Sequence, residues 1–167
     1  MKLCTCCGEK KSVFIDLGIQ PYANKYPLSH DIQKEFLNNL TIFICENCFS
    51  CTTESIAPRD EMFEEYFYLS SVNKELVNHF DNFAKTIPKG STVLDIGSND
   101  GILLKPLIEN GVNALGIDPS ENVGELANRN GLKTIIGFFD KINTKKIKDE
   151  YGKFDYVVAS SIFTHVE

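Results

Sequence analysis

The sequence predicts an α/β protein in which a small cysteine-bearing β module precedes a partial, doubly wound parallel sheet. Three observations carry this reading. Two Cys-x-x-Cys pairs, Cys4/Cys7 and Cys45/Cys48, bracket short segments rich in β-branched and aromatic residues. From Ser91 onward, short apolar runs alternate with helical patterns, the βαβαβαβ signature of a parallel sheet covered by helices. The first of those runs, Thr92-Val93-Leu94-Asp95-Ile96, enters a glycine-bounded turn, Gly97-Ser98-Asn99-Asp100-Gly101, and then an apolar helix start. In an open α/β sheet that first strand-to-helix turn is where ligands bind.

Composition bounds the function. The chain has 167 residues, of which 43% are hydrophobic and 24% charged, as in ordinary globular domains. A formal net charge of −6 argues against a nucleic-acid surface, which needs clustered positive charge. No apolar run approaches the roughly 20 residues of a membrane span. The N-terminus, Met1-Lys2-Leu3-Cys4, carries no apolar signal segment, so a cytoplasmic location is expected. There, paired Cys-x-x-Cys spacing reads as metal binding rather than as disulfides.

Residues 1–57 are expected to form that metal-binding module. Two residues between cysteines let both thiolates of a tight turn face one ion, and two such turns complete a tetrahedral S₄ site suited to a structural Zn²⁺. Gly8 fits the turn after the first pair; Phe49 follows the second, where glycine would be more comfortable. Cys6 and Cys51 are left over, so Cys4/Cys6 and Cys48/Cys51 are alternative pairings. Residues 13–18 and 41–45 read as strands, and residues 49–56 as a possible third. Residues 20–24 read as a loop, with Pro21 excluding a central strand. So small a module buries little apolar surface, and a metal supplies what the core lacks.

Residues 58–88 read as a helical connector. Acidic residues after Pro58 suit a first helical turn. Tyr66-Phe67-Tyr68-Leu69-Ser70-Ser71 is unusually aromatic, and Leu76, Val77, Phe80, Phe83, Ala84 and Ile87 recur at helical spacing. His79 reads as structural or exposed.

Residues 89–167 form the α/β part. Gly97 and Gly101 lack a Cβ and let backbone approach a ligand closely, in a Gly-x-x-x-Gly spacing unlike the Gly-x-Gly-x-x-Gly of dinucleotide binders. The N–H groups of the following helix are expected to favour an anionic or electron-rich group. Asp95, inside the strand end, is poorly explained by packing. The helix is expected over residues 102–110, starting late enough to place Pro106 in its first turn. A second strand, residues 112–118, ends on Asp118, about 20 residues beyond the glycine turn, where an acid accepts hydrogen bonds from ribose hydroxyls. Ser120 is expected to cap the next helix. A third strand spans residues 133–139, with Phe138 and Phe139 either flanking an adenine or packing in the core, and a fourth spans 154–160. The intervening lysines read as a solvated face.

The turn resembles motif I of class I S-adenosylmethionine methyltransferases, Asp/Glu-x-Gly-x-x-x-Gly. The whole chain resembles the N-terminal part of the sugar C-methyltransferases of deoxysugar biosynthesis. The resemblance rests on the two cysteine pairs, Gly18-Ile19-Gln20-Pro21-Tyr22-Ala23-Asn24, the 66–71 segment, the glycine turn, Leu115-Gly116-Ile117-Asp118-Pro119-Ser120-Glu121-Asn122-Val123, Gly137-Phe138-Phe139, and Ala159-Ser160-Ser161-Ile162-Phe163-Thr164-His165-Val166. It implies a Rossmann-like class I methyltransferase sheet. It also implies S-adenosylmethionine held by Asp95, Gly97, Ser98, Asn99, Gly101, Asp118, Pro119, Phe138 and Phe139, and a structural Zn²⁺ on Cys4, Cys7, Cys45 and Cys48. The implied substrate is a nucleotide-linked 4-keto-6-deoxysugar methylated at carbon 3. A base removes the proton beside the ketone, donors stabilise the enolate oxygen, and the carbanion takes the methyl group in line. His165 and Tyr66 or Tyr68 match family residues placed at that chemistry.

Relatives of this family carry further strands and a C-terminal domain that this sequence lacks, so the chain by itself is expected to be inactive. A non-catalytic fragment or a zinc-binding interaction module is the alternative. Sugar, nucleotide carrier and oligomeric state are not encoded in any motif here.

Overall fold

The computed structural model describes residues 2–23, 25–53, 58–63 and 66–163, and the backbone alone of Asp60. By internal contacts the chain divides into two units, Met1–Met62 and Phe63–Glu167.

The first unit is a three-stranded antiparallel sheet in the order β1-β2-β3, with β1 at Lys11–Pro21, β2 at Leu37–Cys45 and β3 at Cys51–Thr53. Pro21, expected in a loop, pairs with Leu37 at the end of β1. The strand lies on the sheet edge, where a missing N–H removes no ladder bond. The third strand is shorter than expected, and residues 54–57 lie outside the described residues. The buried apolar residues described in this unit are Cys4, Phe43 and Cys45. That is a very small core, consistent with the expected need for a metal. A single-turn helix, α1, spans Arg59–Phe63 after Pro58.

In the second unit, residues 66–69 carry no regular secondary structure, a 3₁₀ turn follows at Ser70–Val72, and helix α2 spans Lys74–Ala84. Asn73 caps α2, its side chain accepting the N–H groups of Glu75 and Leu76 at 3.0 and 3.2 Å. Residues 63–88, expected within a connector, thus supply a helix to this unit. Phe80, Ala84 and Ile87 pack with Val93, Leu103, Leu107 and Val112 in one core cluster.

Four strands form the parallel sheet: β4 Thr92–Ile96, β5 Asn113–Asp118, β6 Thr134–Ile136 and β7 Tyr156–Ala159, in the order β6-β5-β4-β7. Helices α3 Leu104–Glu109, α4 Glu121–Arg129 and α5 Lys141–Tyr151 connect them. Strand order reverses between β4 and its two neighbours, so the ends of β4 and β5 open onto a crevice. Alternation along β4 serves two faces: Val93 joins the α2–α3 core, while Leu94 and Ile96 join a second cluster with Leu115, Ile117 and Ile147. Asp95 shares the period-2 side of Val93. Asp155 pins the register of β7, accepting the N–H and hydroxyl of Thr92 at 2.8 and 2.9 Å.

Helix α3 begins late, as Pro106 requires, and Gly111 follows it at φ +78°. Strand β6 stops at Ile136 rather than running to 139: the bond from the Gly137 N–H to the Asp118 carbonyl is the last rung of the β5–β6 ladder, and Asp140 already caps α5. Ser120 occupies the N-cap of α4, but its side chain makes no capping bond; its N–H binds Asp118 instead. Lys141, Lys145, Lys146 and Lys148 are exposed, as a solvated face requires, and so is His79.

Candidate cofactor cavity and thiolate metal centre

In the first unit the four expected ligands converge. The Sγ atoms of Cys4, Cys7, Cys45 and Cys48 all lie within 4.8 Å of one another. Cys4 and Cys48 are 3.7 Å apart, and Cys7 and Cys45 are 3.5 Å apart. A tetrahedral site with Zn–S bonds of about 2.3 Å requires sulfur separations of about 3.8 Å. Both pairs sit on equivalent turns. The Gly8 N–H donates to the Cys4 carbonyl at 2.9 Å, and the Phe49 N–H to the Cys45 carbonyl at 2.9 Å. Phe49 does take the left-handed conformation that glycine would hold more easily, at φ +59°. Hydrogen bonds from Ser50 and from the Cys6 and Cys7 amides draw the Cys4 thiol down to about 5, whereas, against the pull of the Glu9 amide, burial and the neighbouring Cys45 and Cys48 thiols push Cys7 up to about 11. Cys6 and Cys51 are exposed and stand outside the cluster, which selects the Cys-x-x-Cys pairing over its alternatives.

In the second unit a cavity opens at the ends of β4 and β5. Asp95, Gly97, Ser98, Asn99, Asp118 and Pro119 line it, and Tyr66 and Tyr68 form part of its wall. Gly97 adopts φ +72°, and a Cβ there would lie 2.7 Å from Cγ1 of Ile162. Asp118 ties the site together: its carboxylate accepts the Asn99 N–H at 2.8 Å and the Ser120 N–H at 2.9 Å. Burial holds the Asp118 carboxyl above the ordinary carboxylate range, against the opposing pull of those two amides. Burial pushes Asp95 up to about 8, and the Asp118 charge adds to the shift. Ser98 Oγ is buried without a hydrogen-bond partner among the described residues.

Two buried carboxyls, an unpaired hydroxyl and a Cβ-free approach fit a ligand rich in donors, such as a ribose diol or an ammonium group. The N–H groups of the turn itself are spent internally: Gly97 and Ser98 donate to the Ile117 carbonyl, Asn99 to Asp118, and Gly101 to the Ser98 carbonyl.

Three expected cofactor residues are not brought to the cavity. A Cβ on Gly101 would meet Leu132, so this glycine serves a close packing contact. Phe139 packs against the core cluster of Leu94 and Ile117, and Phe138 lies edge-on to Phe63 at 6.4 Å. His165 lies outside the described residues. The cavity also takes in Ser160, Ser161 and Ile162, from the 159–166 segment that follows the fourth strand, and Ser70 and Ser120, which no sequence pattern had marked as ligand-facing.

A parallel sheet with a cavity lined by buried carboxyls at its strand ends is the architecture of an open α/β ligand-binding domain. Residues 68–167 match the methyltransferase domain family, and the chain belongs to that family. Residues 4–63 match a family described as a zinc binding domain. The C-methyltransferase NovU of Streptomyces niveus is 25% identical over 98% of this chain and 41% of its own length. A ubiquinone biosynthesis O-methyltransferase of Azorhizobium caulinodans is 30% identical over 59% of this chain and 40% of its own. The chain thus spans about two fifths of these curated relatives. A methyltransferase from Thiobacillus denitrificans, solved with S-adenosyl-L-homocysteine, is 30% identical over 39% of this chain and 29% of that one, with a TM-score of 0.33. Both cofactor expectations, S-adenosylmethionine and structural zinc, agree with the two families and with the four-thiol cluster. Among the described residues no helix is long and apolar enough to cross a membrane.

Proposed function

We propose that this chain is the zinc-bearing, cofactor-binding portion of an S-adenosylmethionine-dependent C-methyltransferase acting on a nucleotide-linked 4-keto-6-deoxysugar. The observation that carries the reading is the cavity at the β4 and β5 ends, walled by Tyr66 and Tyr68, in a chain that aligns over 98% of its length with a C-methyltransferase. S-adenosylmethionine bound there supplies an electrophilic methyl group.

The protein's own residues bind and orient. Asp118 accepts ribose hydroxyls on the oxygen lone pairs left free by the Asn99 and Ser120 amides. Asp95 faces the ligand's ammonium. Gly97 lets the ligand approach the backbone, and Ser98, Asn99 and Pro119 complete the wall. Tyr66, Tyr68 and His165 serve the sugar: one accepts the proton beside the ketone, and hydroxyl donors hold the enolate oxygen. The metal, closed by four thiolates, is structural. It requires reduced cysteines, which supports a cytoplasmic setting.

These 167 residues by themselves are proposed to transfer no methyl group. In the described structure β7 is an edge strand, with Val157 59% exposed, and an unpaired edge frays or self-associates. Calorimetric titration of S-adenosyl-L-homocysteine into the purified chain tests the binding half, and incubation with labelled S-adenosylmethionine and a panel of nucleotide-linked 4-keto-6-deoxysugars tests the rest. Absence of any ligand heat would overturn the cofactor reading; label on a sugar carbon would overturn the inactivity.

A further inference from the structure

The irregular stretch 66–69 that walls the cavity, and the 3₁₀ turn Ser70–Val72 that follows it, have no strand partner among the described residues, yet the backbone is held at Tyr66, Tyr68 and Ser70. Tyr66, Tyr68 and Ser70, spaced two apart, all line the cavity. Two asparagine side chains take the place of a neighbouring strand. Asn122, in the first turn of α4, accepts the Tyr66 N–H on Oδ1 at 3.1 Å and donates from Nδ2 to the Tyr66 carbonyl at 2.9 Å. Asn99, in the glycine turn, donates from Nδ2 to the Tyr68 carbonyl at 3.1 Å and accepts the Ser70 N–H on Oδ1 at 3.0 Å. Asp100 extends the clamp by one residue, accepting the Ser71 N–H and hydroxyl at 3.2 and 2.5 Å.

Local structure does not demand these amides. Asn99 sits at φ +50°, a conformation glycine adopts as readily, but glycine could make neither bond. Asn122 lies inside the helix, two residues past its N-cap, so it is not the capping side chain. Asn99 comes from the turn after β4 that also carries Gly97, and Asn122 from the first turn of α4, four residues beyond Asp118 at the end of β5.

We propose that Asn99 and Asn122 are positioning residues that hold residues 66–71 as a strap across the cofactor cavity and so place the two tyrosines for methyl transfer. The proposal rests on the cofactor reading above. Asn99 also couples the strap to the ligand, because its own N–H is held by Asp118. A ligand that orders Asp118 therefore orders the strap, and a held strap tightens ligand binding.

The test uses the full chain and three variants: Asn99→Gly, Asn122→Ala and Asn122→Asp. Residue-resolved amide exchange and calorimetric titration of S-adenosyl-L-homocysteine are run on each. Exchange at Ser70 should rise about tenfold in Asn99→Gly, and exchange at Tyr66 about tenfold in Asn122→Ala. Asn122→Asp, which keeps the acceptor, should retain Tyr66 protection. Protection over 92–96 should not change, and ligand affinity should fall at least fivefold in the first two variants. Asn122 is on the helix surface, so its alanine variant stays decisive even if Asn99→Gly folds poorly. Unchanged exchange at Tyr66 and Ser70, or unchanged affinity after their protection is lost, overturns the positioning role. A wild-type chain that binds no ligand overturns the cofactor reading, while its exchange comparison still decides whether the clamp exists.

Discussion

The Asp118 carboxylate accepts the backbone N–H of Asn99 at 2.8 Å, joining the loop after β5 to the loop after β4 across 19 residues of sequence. Its other oxygen accepts the Ser120 N–H at 2.9 Å. One side chain at the end of a strand thereby fixes both loops that shape the cavity, and it does so while buried.

Asp118→Asn should disturb both loops at once. An amide offers one acceptor oxygen, so one of the two N–H groups faces an NH₂ donor. An unsatisfied buried donor costs about 1–3 kcal/mol, which thermal or urea unfolding of wild type and variant would read. Affinity for S-adenosyl-L-homocysteine should fall at least tenfold as the ribose loses a charged acceptor. An unchanged dissociation constant would remove Asp118 from the ribose.

Metal analysis of the purified chain should give about one zinc per chain. Cys45→Ala/Cys48→Ala should lose it, while Cys6→Ser and Cys51→Ser should keep it, because those two thiols stand outside the cluster. Chelation should unfold the first unit, whose buried apolar residues described are Cys4, Phe43 and Cys45, since a structural zinc contributes on the order of 10 kcal/mol to domains of this kind. Zinc retained in the double variant would reassign the ligands.

Gly97→Ala and Gly131→Ala together separate backbone strain from close approach. Both glycines lie at positive φ, +72° and +77°, which costs a residue with a Cβ about 1–2 kcal/mol. A Cβ at 97 also meets Ile162 at 2.7 Å, whereas nothing lies within 4 Å at 131. Gly97→Ala should therefore lower the melting temperature more than Gly131→Ala and should weaken ligand binding as well. Equal destabilisation by the two would mean that the turn has room to spare.

The cysteine pairs, the strand–helix alternation and the glycine turn are legible because each rests on short-range spacing: two residues between thiols, short apolar runs set between helical patterns, glycine at a forced turn. Pro106 even set the late start of α3. Phe138 and Phe139 show where such reading stops. Their apolar run continues β6 on paper, but the ladder ends at the Gly137 N–H, and Asp140, one residue after Phe139, already caps α5. The 66–71 segment is legible as aromatic and, through the family resemblance, as a source of site tyrosines, but not as a held strap. The side chains that hold it, Asn99 and Asn122, come from the turn after β4 and from the first turn of α4, and nothing in their spacing announces a shared partner.

Asp95 should make both stability and ligand binding depend on pH. Its folded-state carboxyl titrates near 8, against an ordinary value of 3.8, with burial the larger cause and Asp118 the lesser. Between those values the folded chain binds more protons at this site than the unfolded chain does. The contribution of Asp95 to stability is therefore most favourable at acid pH and falls as pH rises towards 8, by up to about 1.4 kcal/mol per pH unit. Other carboxylates titrate too, so the measurable quantity is the difference between wild type and Asp95→Asn, which cannot ionise. The gap should narrow, or turn in the variant's favour, as pH climbs from 5 to 8. Ligand binding should run the other way. A cationic ammonium set beside Asp95 favours the ionised form and expels the proton, so affinity should rise with pH. Between pH 5.5 and 7 the ligand's own α-amino group stays protonated and does not confuse the slope. There, the logarithm of the association constant should climb by up to about one per pH unit in wild type and stay flat in Asp95→Asn. Calorimetry in two buffers of different ionisation enthalpy should count up to about one proton released at pH 7. A flat profile in wild type would mean that Asp95 does not face the positive end of the ligand, and its burial would then need another explanation.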